Sequence, residues 1–387
     1  MLSRSPALML LLLSLSPSLA GASTLCVNTA GSDGCFASVQ QAIDAAGKGD
    51  VVDVAPGTYV EHVVVPTKSS LSIVGGGADT TIVDGNGAGT VIDLPGPGTR
   101  VAIAGLKIQN GARGIAAGER VRLTLRECAI TGNTAGGGIY GDSGSTIDIT
   151  GCDVSGNTNA ARGGGIQMHE NFPSRLTVRL STISGNSTPG HGGGIFTVSR
   201  LTLIDSTVSG NSGANGGGLY AWNSKISGST ISGNHADRNA GGVQIVHDTQ
   251  LDHVTIANNS AGLVGGGISY GSFQSNPGSA TLRATLSADN TATELPNCAG
   301  FIRGLSNNLI EGAPDQCVVT SIGGSVLLSD DPLLGPLQDN GGPTETQALA
   351  PGSPALGVVT TRAECRQPDQ RGVARAVPCD LGAFEAP

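Results

Sequence analysis

The chain is poor in basic charge, in aromatic rings and in long apolar runs. Its 387 residues carry 21 Lys and Arg against 30 Asp and Glu, a formal net charge of −9, so it lacks the basic balance that nucleic acid and anionic membranes select. The charges are spread along the sequence, which reads as solubility rather than as a patch. Past the first residues, no stretch approaches the ~20 apolar residues needed to cross a bilayer. One Trp, four Tyr and six Phe make up 3% of the chain, so any place where rings gather carries information. Helical periodicity is absent from the middle of the chain.

What the sequence has instead is repetition. Six copies of one phrase end at Asn133, Asn157, Asn186, Asn211, Asn234 and Asn259, with successive asparagines 24, 29, 25, 23 and 25 residues apart. Ser181-Thr-Ile-Ser-Gly-Asn186 and Ser206-Thr-Val-Ser-Gly-Asn211 show it best, and most copies are followed by Gly-Gly-Gly and an aliphatic residue. Short β-prone runs punctuated by glycine at this period predict the rungs of an all-β, single-stranded parallel β-solenoid. Stacked rungs pair at ~4.8 Å, so equivalent side chains form columns along the axis. The 61 glycines recur at fixed places in the repeat and mark turns rather than disorder. Ile130, Val154, Ile183, Val208, Ile231 and Ile256, three before each asparagine, are predicted to fill the core. The asparagines fall at turns, where their amides either form a ladder with one another and with orphan backbone groups or close separate Asx turns.

The ends read differently. Arg4, an apolar core from Ala7 to Leu15 and the small residues Ala20-Gly-Ala22 read as a secretory signal peptide over residues 1–22. Ser38 to Ala46 places Val39, Ala42, Ile43 and Ala46 on one helical face, with Ser38 as N-cap and Gly47 as stop. Such a helix would cover the open end of the solenoid, which otherwise exposes strand edges. The β-helix is assigned to residues 23–290, with regular rungs from Arg120 to about Tyr270, and the Pro-, Gly- and Asp-rich residues 291–387 to a C-terminal cap. Eight cysteines in an exported chain suit an oxidising compartment and allow 105 pairings. Their spacing suggests Cys26 with Cys35, Cys298 with Cys317 and Cys365 with Cys379. Cys128 and Cys152 share a column occupied elsewhere by Ser181, Ser206 and Ser229, and stand either as a fourth bridge or as two buried thiols.

Several segments resemble known proteins. Ser38-Val-Gln-Gln-Ala-Ile-Asp-Ala-Ala46 and Gly49-Asp-Val-Val-Asp-Val-Ala-Pro-Gly-Thr-Tyr59 resemble the entry to pectin-lyase-like right-handed parallel β-helices. Ser306-Asn-Asn-Leu-Ile310, Asp331 to Thr344, Ala350-Pro-Gly-Ser-Pro354, Asp369-Gln-Arg-Gly372 and Cys379-Asp-Leu-Gly-Ala-Phe384 resemble the choice-of-anchor Q family. The resemblance implies an exported bacterial surface or extracellular protein and supplies no activity. Members of that family often carry a sorting anchor after this region; only Glu385-Ala-Pro387 follows here, which favours free secretion.

Chemistry is sought in the columns after the glycine turns. If Ile139, Ile166, Ile195, Leu219, Val243 and Ile268 point inward, alternation sends Tyr140, Gln167, Phe196, Tyr220, Gln244 and Ser269 outward. Two residues further lie Asp142, His169, Val198, Trp222, Val246 and Gly271. Rings beside amides and a carboxylate suit sugars, whose faces stack and whose hydroxyls hydrogen-bond. Tyr140, Gln167, His169, Phe196, Tyr220, Trp222 and Gln244 are therefore the candidate glycan-binding set, with polysaccharide or cell-surface glycan as partner and a monomer as the expected state. The same residues also fit a purely structural role, stabilising exposed strands by cross-rung stacking. Acids and histidines that could serve a lyase or hydrolase are Asp142, His169, Glu170, His247 and Asp248, but the pairs His169-Glu170 and His247-Asp248 are strand neighbours expected to face opposite ways. Gly190-His191-Gly192 echoes a polygalacturonase fragment without its accompanying aspartates, so His191 reads as an exposed turn residue. No cofactor is implied; Asp330-Asp331 and Asp339-Asn340 could hold calcium or simply shape turns. The overall expectation is a binding or surface-interaction protein, with a polysaccharide lyase or hydrolase and a protein-binding adhesin as the alternatives.

Overall fold

A computed structural model describes residues 22–169, 174–271, 280–312, 317–321, 327–328, 330–365 and 367–387. The signal-peptide expectation, apart from Ala22, and Glu170 lie outside these residues.

Strand alternation, glycine turns and a period near 25 residues close the chain into a parallel β-helix. Each rung contributes one strand to each of three long parallel sheets of 13, 12 and 10 strands, here called A, B and C in the order a rung meets them as A, B and then C. One rung runs Arg122–Arg126 in A, Ala129–Thr131 in B and Gly137–Gly141 in C. Registers hold rung after rung, as in Ile130 with Val154, Val154 with Ile183 and Ile183 with Val208. These aliphatic columns, and the one from Ile139 to Ile268, are buried in one continuous core.

Polar ladders run beside that core. Asn133, Asn157, Asn186, Asn211, Asn234 and Asn259 are at most 1% exposed. Each Nδ2 donates to the Oδ1 of the next at 2.9 to 3.0 Å, and the column continues through Asn290 to Asn297. Each Oδ1 also accepts the backbone N–H of the preceding asparagine, as Asn234 does from Asn211 at 3.0 Å. Glycine is required above the ladder: a Cβ on Gly194 would lie 2.7 Å from Gly218 O and 3.0 Å from Asn211 Nδ2. A second ladder serves the tight turn from A to B. There Ser206 Oγ accepts Ser181 N, Ser181 Oγ accepts Cys152 N and Cys152 Sγ accepts Cys128 N. The column therefore needs a small side chain that accepts one bond and donates another, which thiols satisfy. Cys128 and Cys152 are buried free thiols, while Cys26–Cys35, Cys298–Cys317 and Cys365–Cys379 are bridged.

The helix spans Val39–Ala45 with Ser38 as its N-cap, and Val39, Ala42 and Ile43 are buried against the first rungs. The carboxylate of Glu61 accepts from Val39 N and Gln40 N at 2.8 and 3.0 Å, meeting the positive helix start.

At the other end the structure departs from expectation. Rungs continue past residue 290, with Asn308–Ile310 and Leu327–Leu328 still pairing in sheet B, so the boundary falls within the helix. Residues after 330 then double back along the outside of sheet B. Thr207, Thr230 and Thr255, which face outward on successive rungs, are buried by this tail. Gln370 donates to Thr207 Oγ1 and accepts from Thr230 Oγ1 at 2.9 and 2.7 Å, and Ala383 N donates to Thr255 Oγ1 at 2.9 Å. The motif residues around Gln370 knot the tail together. Asp369 accepts from Arg371 N, Val373 N, Arg371 Nε and Glu385 N, and Arg375 pairs with Glu385 at 3.0 Å, with both side chains buried. Asp331 and Asp339 close turns onto Leu333 N and Gly341 N.

Register also sorts charge that is scattered in the sequence. Arg100, Arg122, Arg175 and Arg200 fall in one outward column of sheet A, and Arg126 and Arg179 in another. The reading of charge as merely spread is corrected by this face, which sequence order cannot show because its members are a rung or two apart.

Three outcomes follow from these contacts. Asn211→Ala removes the bonds to Asn234 and Ile183 O and orphans Asn186 N; a loss of about 3 kcal/mol is expected in chemical denaturation. Alkylation of denatured, unreduced protein is expected to add two groups by intact mass, at Cys128 and Cys152; no addition would indicate a fourth bridge. Burial beneath the tail pushes the Asp205 carboxyl up to about 6, with Asp369 adding to the rise and Arg179 and Arg375 opposing it. A raised acid favours the folded state when protonated, so its contribution is greatest at low pH and is lost as pH rises through about 6. Asp205 has φ 48°, which asparagine tolerates. Asp205→Asn should therefore raise Tm at pH 7, with the gain vanishing near pH 4.

Candidate functional site

The outward column of sheet C places Tyr140 beside Gln167, Gln167 beside Phe196, Phe196 beside Tyr220, Tyr220 beside Gln244 and Gln244 beside Ser269. They do not form one open row. The segments between each asparagine and its glycine turn rise beside sheet C, three of them pairing as a small parallel sheet from Ser212–Asn215, His235–Asn239 and Ser260–Ala261. These excursions cover parts of the column. Phe196 is only 1% exposed, beneath the Arg162 guanidinium at 5.0 Å. Gln167 accepts from Asn159 at 3.0 Å, and Gln244, 3% exposed, donates to Ser269 O at 3.1 Å. Tyr140 lies under Arg113 at 4.8 Å, with its ring edge-on to His169.

What stays open is a cleft of about 440 Å³ lined by His191, Asn215, Tyr220, Arg238, Asn239 and Gln244. Tyr220 stacks on Phe196 at 5.2 Å and on His191 at 5.0 Å, both contributed by the preceding rung. His191 is half-buried, and its Nδ1 lies 3.1 Å from Asn215 Nδ2, so with the amide donating, the ring proton sits on Nε2. Burial, reinforced by Arg162 and Arg238, holds the imidazole below its ordinary pKa and so neutral. Burial likewise raises the Tyr220 phenol, against the pull of Arg162. The reading of His191 as an exposed turn residue is thus corrected, because the excursion folds back onto the Tyr220 ring. Of the candidate glycan set, only Tyr220 and Gln244 line this cleft. Asn215, Arg238 and Asn239 escape the sequence reading because they lie where the rungs differ most from one another.

Trp222, one residue past the strand Leu219–Ala221, stacks on His247 at 5.1 Å with 9° between planes. His247 also lies 3.1 Å from Asn223 Oδ1 and 3.5 Å from Asp248. The expectation that His247 and Asp248 face apart fails because the strand ends at Ile245 and alternation ends with it. Asp142, Ser143 and His169 also meet, but Ser143 Oγ at 3.1 Å and Asp142 at 4.0 Å approach the same imidazole nitrogen. A relay needs the two ring nitrogens to serve different partners, so this trio is not one. Among the described residues, no three His, Cys, Asp or Glu side chains gather as a metal site.

The sequence profile of the right handed beta helix region matches residues 78–226. Among solved structures, the pectate lyase Pel9A superposes with a TM-score of 0.54, covering 96% of this chain and 98% of that one at 14% identity. The chain is a right-handed parallel β-helix. ORF18 of Geobacillus virus E2 has a TM-score of 0.41 at 13% identity, covering 75% of this β-helix and 55% of that chain. The PL6 family alginate lyase AlyGC has a TM-score of 0.36 at 12% identity, covering 93% and 57%. No curated protein matches the chain. At such identities the likeness reaches the fold alone.

Proposed function

We propose that this β-helix binds carbohydrate in the cleft over Tyr220, without cleaving it, as an exported surface or extracellular protein. The observation that carries the reading is the lining itself: one ring face flanked by the amides of Asn215, Asn239 and Gln244 and the guanidinium of Arg238. A tyrosine face suits the apolar side of a sugar ring, and amides and a guanidinium supply the directional bonds that fix its hydroxyls. Cleavage by paired carboxylates finds no support, because no acid lines the cleft among the described residues. Three disulfides, with no described helix long and apolar enough to cross a membrane, are compatible with secretion. The knot formed by Asp369 to Gly372 with Cys379 to Phe384 supports a place in the choice-of-anchor Q family, whose resemblance rests on those residues.

One observation favours a lyase as the second reading. His191 is held neutral between Arg162 and Arg238, an arrangement that could accept a proton from a uronate whose carboxylate an arginine neutralises. Titration of neutral and acidic oligosaccharides against Trp fluorescence, with product absorbance followed in parallel, separates the readings. Binding weakened at least about tenfold by Tyr220→Ala, with no unsaturated product, is the expected result. Unsaturated uronate lost in His191→Ala would establish the lyase, and binding equal in wild type and Tyr220→Ala would remove the cleft from consideration.

A further inference from the structure

The arginines of sheet A form a feature separate from the cleft. Arg100, Arg122, Arg175 and Arg200 stand in one column, interrupted by Thr146, and Arg126 and Arg179 stand in the column four residues along. All six are exposed, and none makes a side-chain hydrogen bond or ion pair among the described residues; Arg179 lies within electrostatic reach of Asp205. Between the columns, short side chains form a floor: Ser72, Ala102, Thr124, Thr177 and Thr202, with Asp148 the one acid on it. The walls stand about 13 Å apart at strand spacing, and the four rung steps from Arg100 to Arg200 span about 19 Å. The result is a straight trough with hydroxyls below and guanidinium groups along its edges. A concavity of about 370 Å³ opens at its N-terminal end, with Ser72, Ala102 and Thr124 on its floor and Ser70, Arg100 and Arg122 at its wall.

We propose that this trough binds an acidic polysaccharide lengthwise, its carboxylate or sulfate groups meeting the arginine columns and its hydroxyls the threonine floor. Six cations held on one rigid face of a chain with net charge −9 mark that face as the place where a polyanion is accepted. A recessed floor suits a single polymer chain better than a flat membrane, which would meet only the arginine tips. The trough lacks aromatic side chains on which nucleic-acid bases could stack. Guanidinium forks recognise carboxylate and sulfate groups in bidentate fashion. Three rungs beyond Arg200 on sheet A, Arg283 is already engaged by Asp252 at 3.6 Å and by Glu364 of the tail at 4.0 Å, so it adds no free cation to the trough.

The test is binding of the whole protein to immobilised polygalacturonate and chondroitin sulfate, with dextran, duplex DNA and phosphatidylglycerol vesicles alongside. Both acidic polysaccharides, or one of them, should bind and dextran should not, with affinity falling as salt rises from about 50 mM to about 0.3 M. The triple variant Arg122→Gln, Arg175→Gln, Arg200→Gln should weaken binding at least about tenfold, the triple Lys variant should retain most of it, and both should melt as the parent does. Thr177→Glu, which places a carboxylate on the floor, should weaken it as well. No acidic polysaccharide bound at low salt, or equal binding by the triple Gln variant, would overturn the proposal. So would tighter binding to DNA or vesicles, or a loss seen in Tyr220→Ala and in none of the arginine variants, which would assign the polymer to the cleft.

Discussion

Where sheet B bends toward sheet C, each rung from Gly111 to Asn290 leaves a backbone N–H inside the molecule, and an asparagine amide further along the column is what meets it. The Oδ1 of each amide takes that donor together with the Nδ2 of the previous asparagine, while its own Nδ2 reaches back to strand carbonyls such as Ile183 O. A buried donor without a partner costs about 1 to 3 kcal/mol, and the turn repeats rung after rung from Asn133 to Asn290. The ladder therefore fixes register: slipping one rung by one residue would orphan a donor and at the same time turn an aliphatic column outward. The glycines follow from the same constraint, since the chain passes over the amides too closely for a Cβ.

Fixed register turns sequence positions into places. With the core columns and ladders assigned, variation is left to outward residues and to the excursion between each asparagine and its glycines. The two features proposed to bind ligand divide along that line. The cleft is built mostly by excursions, whose His191, Asn215, Arg238 and Asn239 surround a ring supplied by a strand. The arginine trough is built wholly by strands, so its groups stand at multiples of the rung spacing. A cleft of the first kind is shaped around a few sugar rings, and a trough of the second kind suits a polymer whose charges recur along its length.

The sequence disclosed the fold through its period. Asn186, Asn211 and Asn234 close nearly identical phrases, and Ile195 and Leu219 follow matching glycines, so column and direction could both be read. The same reasoning placed Tyr220 and Gln244 on one face, yet could not show that Phe196 lies under Arg162, because the excursion carrying Arg162 has no repeat to register it. His247 and Asp248 show the limit from the other side: they stand two and three residues beyond the end of the strand, where alternation no longer holds. The arginine columns were readable in principle from Arg122-Leu-Thr-Leu-Arg126 and Arg175-Leu-Thr-Val-Arg179, which differ only in one aliphatic. Summing charge along the chain instead of by column concealed them.

The tail shows how a solenoid can be covered sideways as well as capped at its ends. Outward positions on sheet B are Asp153 and Thr182 in earlier rungs, and become Leu286 beside the apolar Ala257 and Ala288 in later ones. An exposed face does not gain apolar residues rung by rung without something to cover it, and here the cover is a second cluster containing Leu349, Ala355, Val359 and Leu381. Thr207, Thr230 and Thr255 stay polar because each meets a tail group that needs a hydrogen bond, Gln370 or the backbone of Ala383. The residues from Asp369 to Glu385 hold the tail together: Asp369 gathers four N–H donors, Arg371 lies over Phe384, and Arg375 and Glu385 neutralise each other in the interior. From the rung of Thr207 onward the outer face of sheet B is taken by the protein's own tail, whereas the arginine columns of A and the cleft beside C stand outside that cover.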